Sequence, residues 1–79
     1  MITVRYFAAA AEAAGTATEQ LDAGTAGELR AALADRHGAE LERVLGRCAL
    51  LHDGRRLDDP GSPLAAGGVV DVLPPFAGG

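Results

Sequence analysis

Lysine, asparagine and tryptophan are all missing from this chain of 79 residues, cysteine occurs once, and aromatics make up only 4%. The absence of lysine means that no side-chain amine can accept an isopeptide bond, so all seven basic residues other than histidine are arginines. One cysteine, Cys48, excludes an intramolecular disulfide, a four-thiolate zinc site and a Cys-ligated iron–sulfur cluster. Its flanks, Arg47-Cys48-Ala49-Leu50-Leu51, read as a strand, and Cys48 is expected to be a buried core thiol because free cysteine packs as a small hydrophobe. No apolar run nears the roughly 20 residues that a membrane span requires, which predicts no membrane partner. Met1-Ile2-Thr3-Val4-Arg5 lacks the basic and long apolar regions of a signal peptide, so a cytoplasmic location is the expectation. A net charge of −4 with scattered arginines argues against a nucleic-acid backbone as partner.

What is present is aliphatic. Hydrophobic residues are 48% of the chain, enough for one modest core, since a domain near this size buries only about 60% of its unfolded surface. Ile2, Val4 and Tyr6 alternate with Thr3, Arg5 and Phe7, which predicts a strand over 1–7 with Phe7 partly in the core. Ala8 to Ala14, closed by Gly15, suits a short helical turn, and Thr16 to Leu21 returns to strand character with Ala17, Glu19 and Leu21 on one side. Thr25-x-x-Glu28 is a capping box opening the main helix, in which Leu29, Ala32, Leu33 and Arg36 keep the helical period until His37-Gly38. Ala39 to Leu45 reads as a second short helix ended by Gly46, and Arg47 to His52 as a third strand. Asp53-Gly54 turns the chain into Arg55-Arg56-Leu57. Asp58 to Pro63 is a loop by composition, Leu64 is expected to plug the core, and Val69 to Leu73 forms the last strand after the turn Ala66-Gly67-Gly68.

The candidate functional residues lie beyond that strand. Pro74 and Pro75 fix φ and lack a backbone donor, so they end sheet pairing and launch a stiff extended segment. Phe76 and Ala77 follow, and then Gly78 and Gly79, whose missing side chains let the backbone pass through a channel too narrow for other residues. The tip is an unhindered carboxylate, which is the form of a group carrier. Elsewhere chemistry-bearing patterns are lacking. Gly15 and Gly67-Gly68 are not followed by the Gly-Lys-Ser/Thr of a phosphate-binding loop. His37 reads as a helix-end residue and His52 as a solvent-facing one, with no arrangement suggesting a metal or a catalytic triad.

The order β-β-α-β-(β)-β, the opening Tyr6-Phe7-Ala8, the capped helix from Thr25, Pro63-Leu64 before Gly67-Gly68, and the finish Leu73-Pro74-Pro75-Phe76-Ala77-Gly78-Gly79 together resemble the MoaD/ThiS sulfur carriers over essentially the whole length. The Pro-Pro before the diglycine points to the MoaD branch. The resemblance implies an α+β, ubiquitin-like β-grasp fold, a mixed four- to five-stranded sheet covered by one main helix with a protruding Gly-Gly tail. It implies a β-grasp domain over 1–75 and a flexible tail over 76–79. It further implies that a ubiquitin-activating-type (MoeB/ThiF-like) enzyme uses ATP to adenylate Gly79, that a sulfur source converts it to a thiocarboxylate, and that a MoaE-like large subunit of molybdopterin synthase receives the tail. This chain would bind no cofactor and carry no catalytic site of its own. Thiazole, cysteine or a secondary metabolite are alternative destinations for the sulfur, and a ubiquitin-like modifier is the reading from another class.

Ordering Phe76 to Gly79 in a partner would cost roughly 4–8 kcal/mol at about 1–2 kcal/mol per residue, whereas micromolar binding is worth only about 8 kcal/mol. The body must therefore contribute contacts, and Phe7, Leu73 and Arg55 are the expected partner-binding residues. Arg55-Arg56 and Gly67-Gly68 depart from the apolar residue and the Gly-Asp common among relatives at these places, making the contact surface beside Arg55 more electrostatic.

Overall fold

The structure is a computed structural model that describes residues 1–75. Five strands and three helices follow in the order β1 (Ile2–Tyr6), α1 (Ala9–Ala14), β2 (Thr18–Leu21), α2 (Ala26–His37), α3 (Ala39–Leu45), β3 (Ala49–His52), β4 (Arg55–Arg56) and β5 (Val69–Leu73). The sheet runs β2-β1-β5-β3-β4. The first and last strands lie side by side and parallel, with Val4 opposite Val70 and Tyr6 opposite Val72, while the other pairings are antiparallel. This is the mixed sheet of a β-grasp domain.

Alternation decides which face is buried. Ile2, Val4, Tyr6, Leu21, Leu50, Val70 and Val72 point to the helices and meet Leu29, Leu33, Leu41 and Leu45, forming one aliphatic core with Leu64 as the expected plug. At about 25 cal/mol per Å² of apolar surface, each such fully buried side chain contributes about 1.5–3 kcal/mol relative to exposure.

Helix α2 begins as the capping residues predict, though one half of the box is displaced. The Glu28 N–H donates to Thr25 Oγ1 at 3.2 Å, but the Glu28 carboxylate accepts from the Gly24 N–H at 2.8 Å rather than from Thr25. Thr25 is bridged to Pro63, and the next two orphan donors of the helix, Ala26 and Gly27 N–H, reach the carbonyls of Ser62 and Pro60. The proline-containing loop thus caps the helix through tertiary contact. Within the helix Arg30 Nη1 donates to the Leu45 carbonyl at 3.0 Å, tying α2 to the end of α3.

Two expectations fail, the first because a neighbouring element covers a residue that local sequence leaves open. His52 does not face solvent: its side chain is only 13% exposed, and Nε2 accepts the Ala65 N–H at 3.1 Å. The ring lies over Gly68, where a Cβ would strike it and also stand 2.9 Å from the Ala65 carbonyl. Gly68 is thus required by close approach. Cys48 is half-buried rather than a core residue, packed against the cluster with Sγ–H donating to the Val44 carbonyl at 3.2 Å. Burial pushes its thiol pKa up, an effect that the nearby Arg30 charge only partly opposes.

Candidate functional site: the root of the C-terminal segment

Strand β5 is held on both sides, by β1 and by β3, and its side chains Val70 and Val72 are fully buried. Leu73, its last residue, pairs with Ala49, and the chain then passes to Pro74 and the exposed Pro75. The root of the tail is therefore anchored in the middle of the sheet, where the prolines terminate the ladder. Phe76, Ala77, Gly78 and Gly79 lie outside the described residues.

The helix-free face beside that root carries Thr3 and Arg5 from β1, Val69, Asp71 and Leu73 from β5, and Ala49 and Leu51 from β3 by register. Arg5 makes two hydrogen bonds to Asp71, of 2.5 and 2.9 Å. Beyond the end of β1, Phe7 donates its backbone N–H to the Val72 carbonyl at 3.2 Å and leaves its side chain 41% exposed. Continuing the parallel register sets Phe7 next to Leu73, so the structure brings these two expected partner-binding residues together. Arg55 is separated from them. It opposes His52, on the helix-side parity of the outer strand, whereas Arg56 opposes Leu51 and shares the open face. Arg56 is in turn paired with Asp58 at 2.9 Å.

A groove of about 200 Å³ opens at the same end of the molecule, walled by Ala8, Ala9, Val44, Arg47, Pro74 and Pro75. Ala8 occupies φ 50° and ψ −126°, and the Ala10 N–H reaches back to the Phe7 carbonyl at 3.0 Å. This is the geometry of a II′ turn, with alanine where glycine is preferred. Nothing in the local sequence marks that strain, and the groove forms only when α1, α3 and the end of β5 converge.

A polar cluster at the opposite edge also went unread in the sequence. Glu19, 11% exposed, accepts hydrogen bonds on one oxygen from Tyr6 O–H and His37 Nε2, and its other oxygen lies 3.2 Å from Arg36 Nε. The burial of Glu19 would raise its pKa, but hydrogen bonds from Tyr6 and His37 and the His37 and Arg36 charges outweigh it and hold the carboxyl below its ordinary value. Burial, then the Glu19 bond and charge, push the Tyr6 phenol up. The legible signal was an acid on the inward parity of β2, level with Leu21. No group of three or more His, Cys, Asp or Glu residues able to hold a metal ion occurs among the described residues. No helix among them is long and apolar enough to cross a membrane.

The pattern described as "ThiS family" matches residues 4–79. The chain belongs to the ThiS family. This is a family of ubiquitin-like sulfur carriers and modifiers, and solved structures similar to this member span several roles. The crystal structure of SAMP1 from Haloferax volcanii is 31% identical with a TM-score of 0.83, covering 99% of this chain and 98% of the other. A chain in the complex of subunits 1 and 2 of the molybdopterin-converting factor from Helicobacter pylori 26695 is also 31% identical, with a TM-score of 0.75 and coverage of 99% and 97%. The BexX/CysO complex from Amycolatopsis orientalis, at 16% identity and a TM-score of 0.81 over 100% of both chains, shares the fold. No curated protein matches this ThiS-family chain.

Proposed function

We propose that this ThiS-family chain is a sulfur carrier whose C-terminal Gly79 is loaded by an adenylating enzyme and supplies sulfur for molybdopterin synthesis. The observation that carries the reading is the anchored root: a central strand with fully buried Val70 and Val72 runs directly into Pro74-Pro75, with Gly78-Gly79 following after Phe76 and Ala77. A body gripped this firmly can be docked as a unit while the segment after Pro75 is presented to another protein.

The chemistry needs a partner because a carboxylate is a poor acyl donor. In the first step a Gly79 carboxylate oxygen attacks the α-phosphorus of ATP, and the bond to the departing pyrophosphate breaks. A hydrosulfide-level sulfur nucleophile then attacks the carbonyl, AMP leaves, and the new C–S bond makes the thiocarboxylate. Transfer of that sulfur to the client, with water completing hydrolysis, restores the carboxylate. Within this chain, the residues after Pro75 deliver the reacting atom, while Phe7 and Leu73 on the open face supply apolar contact to offset the ordering cost of the tail. Arg56, on the same face, is better placed than Arg55 to meet a partner there.

The molybdopterin destination is supported by the 31% identity to a chain of the two-subunit molybdopterin-converting factor. A second reading, protein modification through Gly79, is favoured by 29–31% identity to a small archaeal modifier protein. Intact-mass measurement on protein from its own host separates the two. Replacement of one terminal oxygen by sulfur, with co-purification of a MoaE-like subunit, supports the carrier. Recovery solely as isopeptide adducts on other proteins refutes it.

A further inference from the structure

We propose that the groove walled by Ala8, Ala9, Val44, Arg47, Pro74 and Pro75 is a docking point for the protein that adenylates Gly79, accepting from it an apolar side chain next to a carboxylate. The inference rests on the carrier reading and deepens it by naming a recognition element outside the tail.

Size, chemistry and position all select this occupant. At about 200 Å³ the groove is smaller than the roughly 300–1,000 Å³ of a small-molecule site, so it fits a protruding side chain better than a metabolite. Its walls are methyl groups, the Val44 side chain and two pyrrolidine rings, with Arg47 the single charged residue among those lining it. Arg5, Arg36, Arg43 and Arg56 each have a carboxylate partner and Arg30 has the Leu45 carbonyl. Arg47 and Arg55 make no ion pair among the described residues, and of these two it is Arg47 that lines the groove. An exposed arginine without an acid, at the rim of an apolar groove in a chain of net charge −4, is a local attractor for an incoming Asp or Glu. Ala8, in its strained conformation, forms part of the wall, and strain of this kind collects at ligand clamps.

Reach supplies the independent argument. Gly79 is four residues on from Pro75, so a catalytic centre acting on Gly79 lies at most about 14 Å from Pro75. A standard interface covers about 800 Å² per partner, a disc of roughly 16 Å radius. Since Pro74 and Pro75 are themselves walls of the groove, a protein that surrounds Gly79 passes over it. The adenylating protein is the occupant to which every sulfur destination leads, because each client requires the same activation first.

The test is ATP–pyrophosphate exchange by the purified adenylating protein from the same host, with the full-length carrier as the varied substrate. Arg47→Glu is expected to raise the carrier's KM about tenfold or more, as the loss of a charge-assisted contact does, with kcat within about twofold. Ala9→Trp plugs the groove from an exposed position and should act similarly, while Arg47→Lys should remain within about threefold of the parent. Circular dichroism of each variant confirms folding independently of activity. Exchange that needs Gly79 but is indifferent to Glu at 47 and Trp at 9 overturns the groove assignment alone, and so does a fall in kcat at constant KM. Exchange that persists after deletion of Gly79, or that the parent carrier does not support, overturns the carrier reading and the groove with it.

Discussion

Removing the Glu19 carboxylate tests how much of this small domain's stability resides in one polar cluster. Glu19→Ala deprives Tyr6 O–H and His37 Nε2 of their shared acceptor and Arg36 of its partner. Hydrogen bonds to a charged group are worth about 1.5–3 kcal/mol each, but the two share one oxygen and are not additive. The exposed Arg36 pair, with the arginine 56% exposed, adds close to nothing after solvent screening. The expected loss is about 3 kcal/mol, against a total of roughly 4–12 kcal/mol for a chain of this length. Thermal unfolding should fall by about 12–24 °C, at about 4–8 °C per kcal/mol. Tyr6→Phe removes one donor and leaves Glu19 its other partners, so it should cost about 1 kcal/mol. The pH dependence provides a second readout. The Glu19 carboxyl is held below its ordinary value of 4.5, so its contribution is fully present above that pH. It is lost as pH falls through the lower folded-state value. Urea titrations of the parent below pH 4.5 should therefore show a decline that Glu19→Ala lacks. A variant that unfolds within about 1 kcal/mol of the parent, with the same acid slope, would refute the reasoning.

Three further outcomes follow from the geometry. Ala8→Gly should stabilise by about 1 kcal/mol in urea unfolding, because relief of the φ 50° strain outweighs glycine's greater unfolded-state entropy; destabilisation would mean the turn is unstrained. Gly68→Ala should cost about 1–3 kcal/mol through contact with the His52 ring and the Ala65 carbonyl. Adding His52→Ala should recover part of that loss in a double-mutant cycle. Alkylation of Cys48 by iodoacetamide at pH 8, followed by mass spectrometry, should be about tenfold or more slower in the folded chain than in urea, since burial raises the thiol pKa.

Much of the fold was legible because its signals are local. Ile2-x-Val4-x-Tyr6 has period two, Thr25-x-x-Glu28 marks a helix start, Asp53-Gly54 demands a turn, and Gly15 ends α1 in the left-handed region at φ 75°. The candidate site was legible only in part. Phe7 and Leu73 could be chosen as partners because both fall on outward parity next to the prolines, and the parallel pairing of β1 with β5 makes them neighbours. The face taken by Arg55 was not legible because a two-residue outer strand gives no pattern from which parity can be read, and only the pairing with Leu51 and His52 assigns it. His52 was misread because what covers it, the turn at Ala65 to Gly68, is more than a dozen residues away in sequence.

Taken alone, the order of residues determined the helices, the strands, the end of pairing at Pro74-Pro75 and the diglycine beyond, since each depends on dihedral preference or on apolar spacing within a few neighbours. Tertiary structure decided the rest: that first and last strands share the sheet's centre, that Glu19 gathers Tyr6, His37 and Arg36, and that α1, α3 and the tail's root enclose a groove with Arg47 at its rim. Those features join residues tens of positions apart, and no local propensity encodes them; they arise only when burying one aliphatic face brings the elements together.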